Sequence, residues 1–216
     1  MATAHADIPA SMLVQIAAGR TPPLEPLTIT QVEQMMAHGI LMEGAPIELI
    51  DGLLIRKDRG TCGGDPMTHH PRHAACVSFL QGLAALVETH GCHLRSQLPI
   101  ALTEVRAPEP DLAIIRGKRE EYRNRHPAPP DILVLVEVAD SSLDFDRTTK
   151  QRIYAEAGIA TYWIVNLIDN VVEVHQQPDP QAGEYREIRE LRVGDVVELQ
   201  MPAGTKLAIG VGDILG

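Results

Sequence analysis

Ile132-Leu133-Val134-Leu135-Val136-Glu137-Val138 is an aliphatic run of the length and composition of a strand covered on both faces, and it carries one carboxylate, Glu137. A second run, Glu109-Pro110-Asp111-Leu112-Ala113-Ile114-Ile115, repeats the pattern with Asp111 at its head. A carboxylate in such a strand gives up its hydration. It persists where a cation or hydrogen-bond donors replace the lost water. Two such carboxylates point to a metal ion.

The segment that follows adds a cation. From Asp144 the chain reads Asp-Phe-Asp-Arg-Thr-Thr-Lys-Gln-Arg-Ile-Tyr-Ala-Glu-Ala-Gly, with acidic residues first and Gly158 as a stop, which predicts a helix. Lys150, Ile153, Tyr154 and Ala157 fall at i, i+3, i+4 and i+7, so the lysine shares the apolar face and points inward. Considered alone, the same spacing also suits a lysine whose stem covers apolar surface while its head reaches water.

Upstream, Ile47 to Arg56 predicts a hairpin turning at Asp51-Gly52, with Glu48 on its first strand. In isolation Glu48 would sit on the solvent side. A helix is expected from Pro71 to about His90, with His73, Cys76, Val77, Leu80, Ala84 and Val87 along one face, so His73 also points inward. Thr28 to about Gly39 predicts a helix capped by Thr30 with Glu33 completing a capping box. Gln97 to Thr103 and Asp111 to Ile115 are read as strands around a Pro-rich turn, and Thr161 to Leu167 pairs with Val171 to Gln176 across Asp169-Asn170. Strands alternating with helices and then meandering predict an α/β fold with a mixed central sheet. Residues 1–27, with Pro9, Pro22, Pro23 and Pro26, are expected to form a loosely ordered arm, and residues 28–216 a single domain.

A Pro-Asp on one strand, a Glu on a later strand and a nearby lysine resemble the PD-(D/E)XK nuclease superfamily. There the lysine usually lies two residues beyond the Glu, a place held here by Ala139. Ile47-Glu48-Leu49-Ile50-Asp51-Gly52, His73, Pro110-Asp111, Val136-Glu137-Val138, Lys150, Tyr154-Ala155-Glu156-Ala157-Gly158-Ile159 and Tyr162-Trp163-Ile164-Val165 follow in that order. Together they are similar to the Uma family of restriction-endonuclease-like proteins, whose lysine is displaced onto the helix after the Glu strand. The resemblance runs from Thr28 to the C-terminus.

It implies a restriction-endonuclease-like sandwich, a mixed sheet flanked by helices, and a divalent-metal-dependent endonuclease cutting nucleic-acid phosphodiester bonds, with DNA as first candidate substrate and RNA as second. Asp111, Glu137 and the Val138 carbonyl would hold Mg²⁺ or Mn²⁺. Glu48 would complete the shell or bind a second ion, and Lys150 would orient the attacking water or offset transition-state charge. A homodimer is expected by analogy with nucleases that cut two strands. The competing expectation is a non-catalytic regulatory or interaction module that keeps the fold, its acidic cluster serving as a buried hydrogen-bonded network.

Composition bears on both readings. A chain of 216 residues with 44% hydrophobic and only 3% aromatic residues supports one substantial, mostly aliphatic core. No stretch reaches the length of a membrane span and the N-terminus lacks a signal peptide's pattern, so a cytoplasmic location is expected. Cys62, Cys76 and Cys92 fit a reducing compartment, and Cys62, His69, His70, His73 and Cys76 match no standard zinc spacing. The net charge of −10 argues against nucleic-acid binding and favours the non-catalytic module, as does the missing Glu-x-Lys. Arg116, Lys118, Arg119, Arg123 and Arg125, in the loop after the Asp111 strand, form the local basic run that could answer it.

Overall fold

The computed structural model describes residues 24–57 and 71–216. Helix α1 (Ile29–Ala37) precedes the hairpin of β1 (Ile47–Ile50) and β2 (Leu53–Arg56), and α2 (Pro71–Gln81) and α3 (Ala84–Glu88) lead into the sheet. The sheet comprises β3 (Cys92–Ser96), β4 (Leu112–Arg116), β5 (Ile132–Ala139), β6 (Thr161–Asn166), β7 (Val171–Asp179) and β8 (Glu184–Leu191), adjacent in that order. Only β5 and β6 run parallel, so only they need a long crossover. It is made by α4 (Leu143–Phe145), a π turn (Asp146–Lys150) and α5 (Gln151–Glu156). A second hairpin, β9 (Val196–Gln200) with β10 (Lys206–Gly210), and α6 (Val211–Leu215) complete the chain. The mixed-sheet α/β fold is thus as the sequence predicts.

β5 is buried along its whole length because both faces of the sheet are covered. On one face Leu112, Val136, Trp163 and Val174 pack with Leu80 of α2, Leu199 of β9 and Ile214 of α6. On the other, Ala113, Ile115, Leu135, Tyr162 and Ile164 pack with Ile153 and Tyr154 of α5. Alternation along β5 is interrupted once. Ile114 faces Val134 but Ile115 faces Ile132, so Leu133 is an extra residue, and Leu133 and Val134 both enter the first core. Past this bulge the alternation is strict, which puts Glu137 with Leu135 and Ala139 on the α5 face.

Several local expectations are corrected. The cap of α1 is Thr28, not Thr30: Thr28 Oγ1 accepts from Gln31 N at 3.3 Å, and Gln31 Oε1 accepts from Thr28 N at 2.8 Å. The chain is pinned there because Leu27 N donates to Gly52 O and Ile29 N to Glu104 O. The helix from Pro71 breaks at Gly82-Leu83, where Gly82 N turns to Ser78 O and Phe79 O, and it resumes as α3. No strand covers Gln97 to Thr103. The strand lies earlier, at β3, and ends where Gln97 takes a φ of +50° and Pro99 offers no amide donor. Apart from its last four residues, the expected arm over residues 1–27 lies outside the described residues.

The first hairpin carries Glu48, and its turn is clamped. Gly52 has a φ of +76°, its N–H donates to Val105 O, its carbonyl accepts from Leu27 N, and a Cβ there would overlap Pro26. Gly52→Ala is therefore expected to cost more than about 1 kcal/mol, read as a lower urea midpoint, because both the left-handed backbone and the close approach exclude a side chain.

Candidate active site

Asp111 stands immediately before β4. Continuing the register in which Leu112 faces Val136 places it opposite Glu137, on the same face of the sheet. The pair is stitched both ways: Val138 N donates to Asp111 Oδ2 at 2.9 Å, and Asp111 N donates to Glu137 Oε2 at 3.3 Å. The β1 hairpin reaches this point because Leu49 exchanges both backbone hydrogen bonds with Ala107, just upstream of Asp111. Glu109 N then donates to Glu48 Oε2 at 3.1 Å.

Lys150, at the end of the π turn, is only 3% exposed, and Glu48 and Glu137 beside it are 4% and 6% exposed. Its Nζ donates to Glu48 Oε2 at 2.6 Å and to Glu137 Oε1 at 3.0 Å. Tyr154, one helical turn on, donates from its hydroxyl to the same Glu137 Oε1 at 2.8 Å. His73, in the first turn of α2, places Nε2 3.2 Å from Asp111 Oδ2. Glu48, Asp111, Glu137 and Lys150 thus converge at one end of the sheet, with His73 at the edge. The inward lysine is a fully buried ion-pair partner rather than one reaching for water.

The electrostatics follow from burial and these partners. Burial pushes the Glu137 carboxyl up, and with Asp146, Asp111 and Glu48 adding like charge against the pull of Lys150 it reaches about 7. Burial pulls Lys150 down, but Glu137 and Glu48 outweigh it and hold the ammonium above its ordinary range. Asp111 is raised by burial, yet its bonds to His73 and Val138 N prevail and lower it. Burial lowers His73 while Asp111 raises it further, so the imidazole gains protons more readily than usual. Burial, reinforced by Glu137, lifts Tyr154 well above its ordinary value, so its hydroxyl remains a donor.

Among the described residues, no three His, Cys, Asp or Glu side chains are already drawn together as a metal shell. The donor set nonetheless suits a hard divalent cation. Among the described residues Glu137 Oε2 accepts only a long bond from Asp111 N, and Asp111 Oδ1 only a 3.5 Å contact from Gln97 Nε2, so both oxygens retain lone pairs. The burial cost that Lys150 leaves unmet on Glu137 is what a further positive charge would offset.

Two placements differ from the sequence reading, that of the basic run and that of Glu173 with Tyr154. The basic run from Arg116 to Arg125 begins at the far end of β4, roughly 16 Å of strand away from Asp111. There Arg125 is bonded to Asp131 at 2.6 Å and Arg119 to Glu88 at 3.3 Å, so it is no footprint at this site. Of the zinc candidates, Cys62, His69 and His70 lie outside the described residues, while Cys76 is buried in the core. The sequence reading does not mark Glu173 or Tyr154 as site residues. Glu173 continues the row Glu137–Ile164–Glu173 across β5, β6 and β7; burial raises its carboxyl, but His175, Arg147 and Asn166 together hold it down at about 2. The signal was present: an acid within Val171-Val172-Glu173-Val174, the same mark that singled out Glu137.

The sheet order, the carboxylates at the strand ends and the buried lysine define a restriction-endonuclease-like fold. The sequence model of the Uma2 family, described as putative restriction endonuclease, matches residues 41–210, and the chain belongs to this family. Among solved structures it is similar to a putative nuclease belonging to DUF820 from Anabaena variabilis ATCC 29413, with a TM-score of 0.62 and 16% identity, over 88% of this chain and 98% of that one. No curated protein matches the chain.

A pH experiment tests the burial of Glu137. Its folded-state pKa is raised from an ordinary 4.5 to about 7, so its contribution is fully present below pH 4.5 and is lost as pH rises through about 7. Wild type is expected to lose stability relative to Glu137→Gln across that window, by on the order of 3 kcal/mol, in urea melts at several pH values. Parallel pH profiles for the two proteins would contradict the burial argument.

Proposed function

We propose that the protein is a divalent-metal-dependent endonuclease that hydrolyses phosphodiester bonds of DNA. The observation that carries this reading is the convergence of Glu48, Asp111 and Glu137 around one buried lysine at the strand ends. Family membership supports the nuclease class. Asp111 Oδ1 and Glu137 Oε2, with the Val138 carbonyl, would hold Mg²⁺ or Mn²⁺, and Glu48 would anchor Lys150 or add an oxygen to the shell. The ion would supply charge stabilisation at the scissile phosphate and acidify a water.

The chain's own residues have separable parts in this. Lys150 stays protonated because two carboxylates face it, so it acts as a fixed positive donor toward developing negative charge and not as a base. Tyr154 and Lys150 together occupy Glu137 Oε1, which fixes the side chain and leaves Oε2 to the reaction side. His73 does the same for Asp111 through Oδ2.

The non-catalytic module has one observation in its favour, since Lys150 already satisfies Glu48 and Glu137 without any further ion. Mutants separate the two. Asp111→Asn and Glu137→Gln are each expected to abolish plasmid cleavage in Mn²⁺ and to remove the heat of Mn²⁺ binding in calorimetry, while retaining or raising stability as carboxylate repulsion falls. A wild type that cuts neither DNA nor RNA in either metal, with both mutants strongly destabilised, would leave the network structural.

Two further parts of the proposal stand apart from the chemistry. A homodimer would present two such sites to opposite strands, and light scattering that returns a monomer mass at every concentration would remove it. A cytoplasmic setting is supported by Cys76 and Cys92, which are buried free thiols. No helix among the described residues is long and apolar enough to cross a membrane.

A further inference from the structure

An acidic nuclease needs a local grip on phosphate, and the 116–125 run lies at the wrong end of β4 to provide it. The cations at the site's own end of the sheet differ in how their charge is spent. Lys57 pairs with Glu109 at 3.1 Å, Arg147 grips Glu173 through two nitrogens at 2.6 and 3.1 Å, and Lys150 is buried between its carboxylates. Arg72 is different. It is exposed, it pairs with no carboxylate among the described residues, and the first turn of its helix contains no acidic residue.

Its guanidinium is nonetheless held in place. Nη1 donates to Leu167 O at 3.1 Å and Nη2 to Asn170 Oδ1 at 2.5 Å, both neutral acceptors on the β6–β7 turn. Leu167 N in turn donates to Ala139 O at 2.9 Å, which ties that turn to β5 two residues past Glu137. On the helix side Arg72 adjoins His73, whose ring touches Asp111. The fork is therefore anchored by two neutral acceptors at the end of the sheet that carries both carboxylates, and it has donors beyond the two it uses. Such a group costs little to order when an anion arrives.

We propose that Arg72 binds a non-bridging phosphate oxygen of the nucleic-acid backbone at the mouth of the Asp111–Glu137 site. This rests on the nuclease reading above and adds a substrate-binding residue to it. Neutral anchoring is the physical point: an arginine already paired with a carboxylate must break that pair to take a phosphate, whereas Arg72 does not.

The test is fluorescence anisotropy of a labelled DNA duplex with the full chain in EDTA, over a series of salt concentrations, alongside plasmid cleavage in Mn²⁺. Arg72→Gln is expected to weaken binding about tenfold at moderate salt. It should also reduce the slope of log affinity against log salt by about one. Its urea midpoint should fall only slightly, by the loss of two hydrogen bonds from an exposed side chain. Arg72→Lys should keep the slope and recover part of the affinity, and Arg119→Gln, at the far end, should alter neither. Should Arg72→Gln fold poorly, Arg72→Met removes the charge while keeping the stem. A wild type that binds and cuts DNA while the charge-removing variants keep its affinity and slope would overturn the inference and leave the nuclease reading standing. A wild type that neither binds nor cuts nucleic acid would overturn both.

Discussion

A protonated lysine held between two carboxylates in a nearly water-free space is the interaction on which the rest of this molecule depends. Lys150 joins three pieces of chain that are far apart in sequence: the first hairpin through Glu48, the central strand through Glu137, and the crossover on which it sits. Removing the lysine itself would typically cost about 3–5 kcal/mol, since both carboxylates would stay buried without their cation. The surroundings accordingly supply donors to the remaining lone pairs, with Glu109 N on Glu48 and the Tyr154 hydroxyl on Glu137. Even so Glu137 is incompletely compensated, its carboxyl rising to about 7. In the proposed nuclease a bound divalent ion would supply the compensation that the network leaves missing.

The sheet makes this arrangement possible by register. β4 and β5 are antiparallel, so the start of one meets the end of the other, and Asp111 and Glu137 become cross-strand neighbours on one face. The bulge at Leu133 resets the alternation of β5, so that a carboxylate near its end faces α5 while the valines on either side face the opposite core. The parallel pairing of β5 with β6 forces a crossover on that same face, and the π turn within it delivers Lys150 and then Tyr154 over the carboxylates. Charge elsewhere on the surface serves other ends. At the far end of β4 Arg119 and Arg125 are spent on local acids, whereas at the site's end the Arg147–Glu173 pair and the neutral anchoring of Arg72 leave unequal amounts of positive charge for a partner.

Much of the site was legible in the residues. Acids embedded in aliphatic runs marked Asp111 and Glu137, because burial of a carboxylate is expensive enough to be rare without cause, and helical spacing put Lys150 on the face of Ile153 and Tyr154. The Asp51-Gly52 turn marked the hairpin through backbone chemistry that only a few residues permit. Glu48 was legible only through resemblance to a family, since nothing local distinguishes a buried glutamate on a hairpin from an exposed one.

What the sequence by itself determined is therefore the first hairpin, the strands β4 to β7, the oily crossover face and the identity of the charged residues that could not lie in solvent, since each follows from periodicity and from the local cost of burial. Tertiary structure alone decided which of them meet. The pairing of Leu49 with Ala107 brings Glu48 to Lys150 across about a hundred residues of chain, the strand order sends the basic run of 116–125 away from the carboxylates, and the anchoring of Arg72 on Leu167 and Asn170 depends on a turn distant in sequence. Contacts of that kind carry no local signature, because their energy belongs to a geometry that exists only once the sheet has closed.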